Sequence, residues 1–479
     1  MLIQRKHGLF PRITGKGDNA KRLADLLIRM RSELSASSSS DGGDSSSFGL
    51  TPSASLESLI IIDREVDFPT ALLTQLTYEG LMDEVFGITS NQTEVDSSIV
   101  GAAPAQATAS SSAATPAPSA SLKRKVQLDA GLDTLYATLR DSNFAVVGPL
   151  LNKVARRLQD TYDSRNTAKT TAELRSFVQA LPGYQAEQAS LKLHTNLAEE
   201  IIKHTRTEIF SKSLEVQQNI AAGADPSTQH DNIEELIARG VPLATILRLL
   251  CLESTMSGGI RPRELENFKR AVLHAYGYQQ LLTLSSLEKM GLLIPRSGTG
   301  IVGVGPRASM GTNYATVRRN LYLIRDEVNE AEPDDIAYVF SGYAPLSVRL
   351  VQLILQKSYI SSLASHHNNP QPPASTQTQG WRPFEDVLKH IKGVTFDEVQ
   401  TGEEKAVRAR SMLNGSGGEK TVVVFFLGGV TRAEVAAIRF VAQKLKEEGR
   451  GRRIVVATTG VVKGDDVVGA AVEDVAFRV

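Results

Sequence analysis

The chain has 479 residues, too many for one hydrophobic core and enough for about three domains of ordinary size. Fifty-three Lys and Arg balance 53 Asp and Glu, and a formal net charge of zero excludes nucleic-acid binding by bulk basicity. One cysteine, Cys251, excludes an internal disulfide and a thiolate metal cluster and points to a reducing, cytoplasmic setting.

In chain order, the N-terminus is charged and lacks the apolar run of a secretory signal. Ser35–Ser55 is mostly Ser, Gly and Asp, a low-complexity insertion with too little apolar surface to offset chain entropy. Leu56–Asp63 (LESLIIID) predicts a buried strand. Pro69–Phe86, with Leu72, Leu73, Leu76, Leu81, Met82 and Val85 three or four apart, predicts a short helical region broken at Gly80. Residues 93–121, dominated by Ala, Ser, Thr, Pro and Gln from Gly101 onward, read as a disordered linker.

From Leu122 to Leu293 the periodicity is helical almost throughout. Leu150, Leu151, Val154, Ala155, Leu158 and Tyr162 form one stripe, and Leu174, Phe177, Val178 and Leu181 a second. Thr170 and Glu173 have capping-box spacing, and Pro182-Gly183 predicts a helix stop. Further helices are expected over Leu191–Leu214, Asp231–Ala238, Leu243–Glu253, Arg263–Tyr276 and Leu281–Met290. Ser297–Gly311 and His366–Gly380 have the composition of surface loops.

The final third returns to α/β. Ile336–Val339 is a candidate short strand and Ser347–Gln356 a helix. Thr421–Leu427 (TVVVFFL) predicts a strand, Thr431 and Glu434 a capping box, Ala436, Ala437, Phe440, Val441 and Leu445 a helix face, and Arg453–Thr458 (RIVVAT) a second strand. Strand, helix and strand at this spacing imply parallel pairing. A lone strand such as Leu56–Asp63 cannot bury both faces alone, so it must join the C-terminal strands, which makes the helical block an insertion into one sheet.

Motifs for catalysis are poorly supported. Gly298-Thr-Gly300-Ile-Val-Gly303 spells a dinucleotide fingerprint, but no strand precedes it and no helix opens after it. Gly415–Thr421 lacks the Gly before Lys of a P-loop and leads into a strand where it should leave one. Asp63, Glu65 and Asp67 at a strand end suit either a metal or acid/base site or simple caps and ion pairs. The eight histidines show no metal-ligand spacing, and Cys251 in LRLLCLE reads as a buried small hydrophobe. No cofactor is expected. The apolar run at Thr421–Val430 falls well short of the roughly 20 residues of a spanning helix, so membranes are to be met only through partners.

Gly148–Pro182 is different. Six basic residues (Lys153, Arg156, Arg157, Arg165, Lys169, Arg175) face three acidic ones (Asp160, Asp163, Glu173), a net of +3 within a neutral chain. Two amphipathic helices around the polar DSRNTAKTT suit a protruding hairpin. It is either an ordinary helix pair with solvated outer faces or a surface that offers apolar residues and positive charge to an acidic amphipathic helix.

Leu59–Ile88 (LIIIDREVDFPTALLTQLTYEGLMDEVFGI), the C-terminal FLGGVTRAEVAAIRF and Leu243–Leu293 (LRLLCLES, YGYQQLLTLSSLEKMGLL) resemble the SM family, the Sec/Munc-like regulators of SNARE-mediated membrane fusion. Within it they are most similar to the vacuolar protein-sorting thirty-three branch. The resemblance implies a non-enzymatic protein whose α/β domain two is interrupted by a helical domain three. It also implies partners: SNARE helices of syntaxin and R type, and subunits of the HOPS and CORVET tethers at vacuole and late endosome. It assigns SNARE templating to the domain-three hairpin, here Leu150–Leu193, with Arg156, Arg157, Asp160, Tyr162, Lys169, Glu173 and Phe177 as candidate contacts, and it makes the carboxylates around Asp63 structural.

The expected organisation is residues 1–34 as the first segment of domain two, 35–55 an insertion, 56–92 the first half of domain two and 93–121 a disordered linker. Residues 122–293 form domain three with its hairpin at about 148–193, 294–335 a loop-rich connection, and 336–479 the rest of domain two with loops at 366–380 and 411–420. GLFPRITGKGDNAKRLADLLIRMR resembles sequence near the junction of domains one and two, so domain one is expected to be absent or nearly so: either the sequence is a fragment or short gene model, or that half of the syntaxin-binding cleft is lost.

Overall fold

The computed structural model describes residues 2–40, 53, 55–100, 123–167, 171–296, 311–366, 380–400 and 419–472. Its strands are β1 (Arg12–Lys16), β2 (Leu56–Asp63), β3 (Gln92–Asp96), β4 (Lys123–Gln127), β5 (Thr395–Val399), β6 (Thr421–Leu427) and β7 (Arg453–Thr458). Five of them form one sheet in the order β5-β1-β2-β6-β7, parallel except for β5, which runs antiparallel at one edge. β3 and β4 pair separately.

The β-branched runs in β2 and β6 are apolar on both faces because both faces are covered. Ile60, Ile62, Val422, Val424 and Phe426 share a core with Ala433, Ala436, Val441 and Leu445 of helix Arg432–Glu447. Ile13, Leu59, Ile61 and Val423 share another with Ala20 and Ala24 of helix Asp18–Ser40. The capping box is present: Thr431 N–H donates to Glu434 Oε2 at 2.8 Å, and Glu434 N–H to Thr431 Oγ1 at 3.1 Å. β2 lies beside β6 in parallel register, Leu59 against Val423 through Asp63 against Leu427. Between these two neighbouring strands the chain leaves the sheet at residue 64 and, among the described residues, returns to it only as the edge strand β5 before β6.

The core does not stop at the sheet. The cluster containing Ile60 and Ile62 continues through Val216, Ile233, Leu247, Leu250, Phe268 and Leu287, so helices Glu208–Ala222 through Gln280–Lys289 pack on the sheet side. A second core gathers Tyr78, Leu81, Met82, Val95, Val126, Leu135, Tyr136, Leu139, Leu151, Leu197 and Ile201 around the small β3–β4 ribbon.

Several local expectations change. The insertion at Ser35 begins in helix, because Asp18–Ser40 runs on through Ser35–Ser40; extending an established helix costs only tenths of a kcal/mol per serine. Residues 93–100 are ordered as β3 and helix Ser97–Val100, and the helical block opens with β4. Their pairing sets Glu94 against Lys125 and Asp96 against Lys123 across a low-complexity stretch. The break in Pro69–Phe86 falls at residues 73–77, between helices Phe68–Leu72 and Tyr78–Val85, with Gly80 inside the second. Thr77 caps that helix by accepting from Gly80 N–H, and a Cβ at Gly80 would lie 2.8 Å from the Thr77 hydroxyl.

Pro182 does not stop its helix, which runs Thr171–Thr205. Proline removes one bond of the ladder, but the C-terminal half is held by Leu197 and Ile201 in the second core. Leu191–Leu214 is split at Arg206–Thr207, where Thr207 caps helix Glu208–Ala222. Ile336–Phe340 is a 3-10 turn capped by Asp335, not a strand. Thr170 of the second capping box, the glycine motif at 298–303, most of 366–380 and residues 411–418 lie outside the described residues.

Candidate partner-binding surfaces

Helices Val147–Thr167 and Thr171–Thr205 pack against each other as a hairpin rooted in the second core. Leu151 and Leu158 turn inward, while Arg156, Arg157 and Asp160 are exposed. Arg157 pairs with Glu187 across the hairpin; with the arginine side chain 61% exposed, the pair adds little stability and leaves its charge available. Tyr162 is 40% exposed and its ring stacks on Tyr184 with centroids 6.0 Å apart. These four predicted residues share the outer part of one helix. Lys169 lies outside the described residues; Glu173 and Phe177 sit on helix Thr171–Thr205, with side chains outside the description.

Nearer the root, an open groove of about 630 Å³ runs between the two helices. Leu151, Ala155, Leu191, Ala198 and Ile202 supply its apolar lining, with Asn152, Thr195 and Glu199 as polar members. Such a channel suits the apolar edge of an amphipathic helix laid along it. Sequence periodicity placed Leu151 and Ala155 in a stripe but could not tell groove from core. The partners Leu191, Ala198 and Ile202 come from the other helix.

A second surface lies beyond helix Pro262–Tyr276. Gly277, at φ 96°, turns the chain, and Tyr278 (73% exposed), Leu281 (58%) and Leu282 (41%) then stand in solvent. Three large apolar side chains exposed within five residues form the densest such run among the described residues. In sequence, YGYQQLL marks the end of one expected helix and the start of the next and contributes to the family resemblance, with no sign that its apolar residues are exposed.

The carboxylates at the end of β2 are committed to structure. Asp63 accepts from Glu65 N–H at 3.2 Å and from Asn19 N–H at 3.0 Å. Asp67 is fully buried and accepts from Thr70 N–H at 3.2 Å and Ser347 N–H at 2.8 Å. Arg64 donates to Glu434 at 2.8 and 3.0 Å. Burial pushes the Asp63 and Asp67 carboxyls up from the ordinary range. Among the described residues no group of three His, Cys, Asp or Glu could hold a metal ion. Burial likewise pushes the Cys251 thiol up to about 12.

One motif escaped the sequence reading. Gly15-Lys16-Gly17-Asp18-Asn19-Ala20 spells G-x-G-x-x-A between β1 and helix Asp18–Ser40, the context a dinucleotide fingerprint requires. Here the anion position at the helix N-terminus is already filled by the Asp63 carboxylate on Asn19 N–H, and a Cβ at Gly17 would lie 2.3 Å from Asp63 Cβ. The glycine serves close packing of two strand ends.

Comparison with known proteins gives one family. Residues 1–470 match the Sec1 family. The chain is 37% identical over 476 residues to vacuolar protein sorting-associated protein 33A of Rattus norvegicus, covering 99% of this chain and 70% of the relative. It is 32% identical over 478 residues to vacuolar protein sorting-associated protein 33 of Schizosaccharomyces pombe, covering 99% and 72%. Among solved structures, the Unc18–syntaxin 1 complex from Monosiga brevicollis matches with a TM-score of 0.59 at 14% identity, over 98% of this chain and 69% of that one. The SM protein Vps45 in complex with the Qa SNARE Tlg2 matches with a TM-score of 0.52 at 16% identity, over 98% and 67%. The two structures share the fold of this chain.

Proposed function

The chain belongs to the Sec1 family, and from that premise we propose that it is a non-enzymatic regulator of vesicle docking and fusion that binds SNARE helices through its hairpin. Its setting is then the SM subunit of a HOPS- or CORVET-type tether at vacuole and late endosome, in keeping with vacuolar-sorting relatives at 37 and 32% identity. No helix among the described residues is long and apolar enough to cross a membrane, so attachment through SNAREs and tether subunits fits.

The observation that carries the reading is the groove between the hairpin helices, with exposed Arg156 and Arg157 further along the same helix. An amphipathic SNARE helix would set its apolar positions on Ala155, Leu191 and Ile202 and its acidic flank toward the arginines. On this reading the hairpin of domain three handles SNAREs, and the sheet with the helices packed on it is the scaffold that presents it. The test is a pull-down with vacuolar SNARE motifs, comparing wild type with Arg156→Glu/Arg157→Glu. Weakened retention is expected, and equal retention removes the hairpin from the account.

Tether docking has its own surface. Tyr278, Leu281 and Leu282 offer an exposed apolar patch, with the tyrosine as its anchor. Should the chain bind a tether subunit yet show no SNARE affinity, the scaffold role carried by this patch becomes the whole function.

A further inference from the structure

The groove must keep its lining turned outward while the same helix buries its other side. On Thr171–Thr205, Leu191, Thr195 and Ile202 line the groove, and Ala198 is shared between the groove and the second core. One position away, Ser190, His194, Leu197 and Ile201 turn toward the second core. A rotation of this helix by a fraction of a turn would exchange the two sets.

We propose that His194 is a positioning residue: the chain Tyr78–His194–Asp133, buried at its first two members and half-buried at the third, clamps the hairpin helix at one rotation and so holds the groove open. His194 is 1% exposed and Tyr78 fully buried. The Tyr78 hydroxyl lies 2.9 Å from His194 Nδ1, and His194 Nε2 lies 3.1 Å from Asp133 Oδ2. The same carboxylate oxygen accepts from Ser190 Oγ at 2.7 Å, and Asp133 Oδ1 accepts from Tyr136 N–H at 2.9 Å. With Asp133 ionised, Nε2–H donates to it and Nδ1 accepts from Tyr78 O–H, so every ring nitrogen is satisfied.

The ring is held flat as well. Tyr136 stacks on it at 5.7 Å with an interplanar angle of 8°, and Tyr78 meets its edge at 5.8 Å. Burial would raise Asp133, yet the bonds from His194, Tyr136 N–H and Ser190 hold its carboxyl below the usual range.

The clamp is tied to the sheet through the next residue. Glu79 accepts from Arg432 at 2.6 Å and lies 3.7 Å from Arg439, both on helix Arg432–Glu447. Tyr78 thus faces the hairpin while Glu79 faces the helix packed on β6. Apolar contacts alone tolerate small rotations; a chain of directional hydrogen bonds centred on a buried ring does not. The clamp stands on this geometry alone. Its consequence for SNARE binding rests on the groove reading above.

The test uses the full chain with Tyr78→Phe, which removes one hydroxyl and keeps the ring, and His194→Phe, which removes both ring bonds. Peptide-resolved hydrogen exchange is read alongside affinity for a SNARE-motif peptide. In Tyr78→Phe, amides over residues 190–205 are expected to exchange roughly tenfold faster while β2 and β6 keep wild-type protection, with a larger effect in His194→Phe. Peptide affinity should fall severalfold in parallel. Wild-type protection over 190–205 in the variants, or a loss shared equally with β2 and β6, overturns the clamp; if His194→Phe does not fold, Tyr78→Phe decides. Local loosening with unchanged peptide affinity upholds the clamp and removes the groove from SNARE handling.

Discussion

Two charged regions of this molecule do opposite things with their charge. At the end of β2, Arg64, Asp67 and Glu434 are buried against one another, and each carboxylate oxygen pair serves a backbone N–H, a hydroxyl or the guanidinium. On the hairpin, Arg156, Arg157 and Asp160 stand in water, and in the cross-helix pair of Arg157 with Glu187 the arginine side chain is 61% exposed. In sequence both are short runs of mixed charge. Burial separates them: charge out of water must be paired within the fold, whereas charge in water remains free for a partner.

That contrast can be broken by substitution. The largest effect is expected from Arg64→Met, which leaves Asp67 and Glu434 buried without their cation; chemical denaturation should show a loss of about 3–5 kcal/mol. A Tyr278→Ser/Leu281→Ser variant should retain wild-type stability but lose tether-subunit binding by about 2–4 kcal/mol, measured by calorimetry with the partner subunit. Arg156→Glu/Arg157→Glu should change stability by under about 0.5 kcal/mol while weakening SNARE-motif binding roughly tenfold, more at low salt than at high. A destabilisation comparable to that of Arg64→Met would erase the distinction between the two regions.

The smallest effect concerns His230, an intermediate case. Burial would lower its pKa, but Glu253 at 3.6 Å and Glu264 at 3.1 Å, with Glu234 beyond, outweigh burial and raise it above the ordinary 6.5. A raised histidine stabilises most fully below the unfolded value, and that contribution is lost as pH rises through the folded one. The stability gap between wild type and His230→Gln should therefore be wider at pH 6 than at pH 8 in paired denaturation curves. An equal gap at both values would mean that the ion pairs are not formed.

Legibility followed length and locality. β2, β6, β7 and the capped helix between the last two could be read because each is a run of six or more residues with a strong local pattern. β1 and β5 could not. RITGK carries Gly15 and Lys16, poor strand formers that make sense only in place: a Cβ at Gly15 would lie 2.7 Å from Ile61 O, and Lys16 Nζ is satisfied by Leu388 O, Gly393 O and Thr395 Oγ1. β3 and β4 are five residues each, separated by a low-complexity stretch, so neither showed enough alternation on its own.

The sequence by itself determined the α/β frame, the inserted helical block, the hairpin with its surplus of positive charge, and the family. These rest on local periodicity, capping chemistry and runs of residues that need no partner to be recognised. Only the tertiary structure decided which charges are spent inside, where the groove opens, and that Tyr78 meets His194 across 116 residues of sequence. Those are contacts between side chains far apart along the chain, and a hydrogen bond or a groove exists only once packing has brought its two halves together.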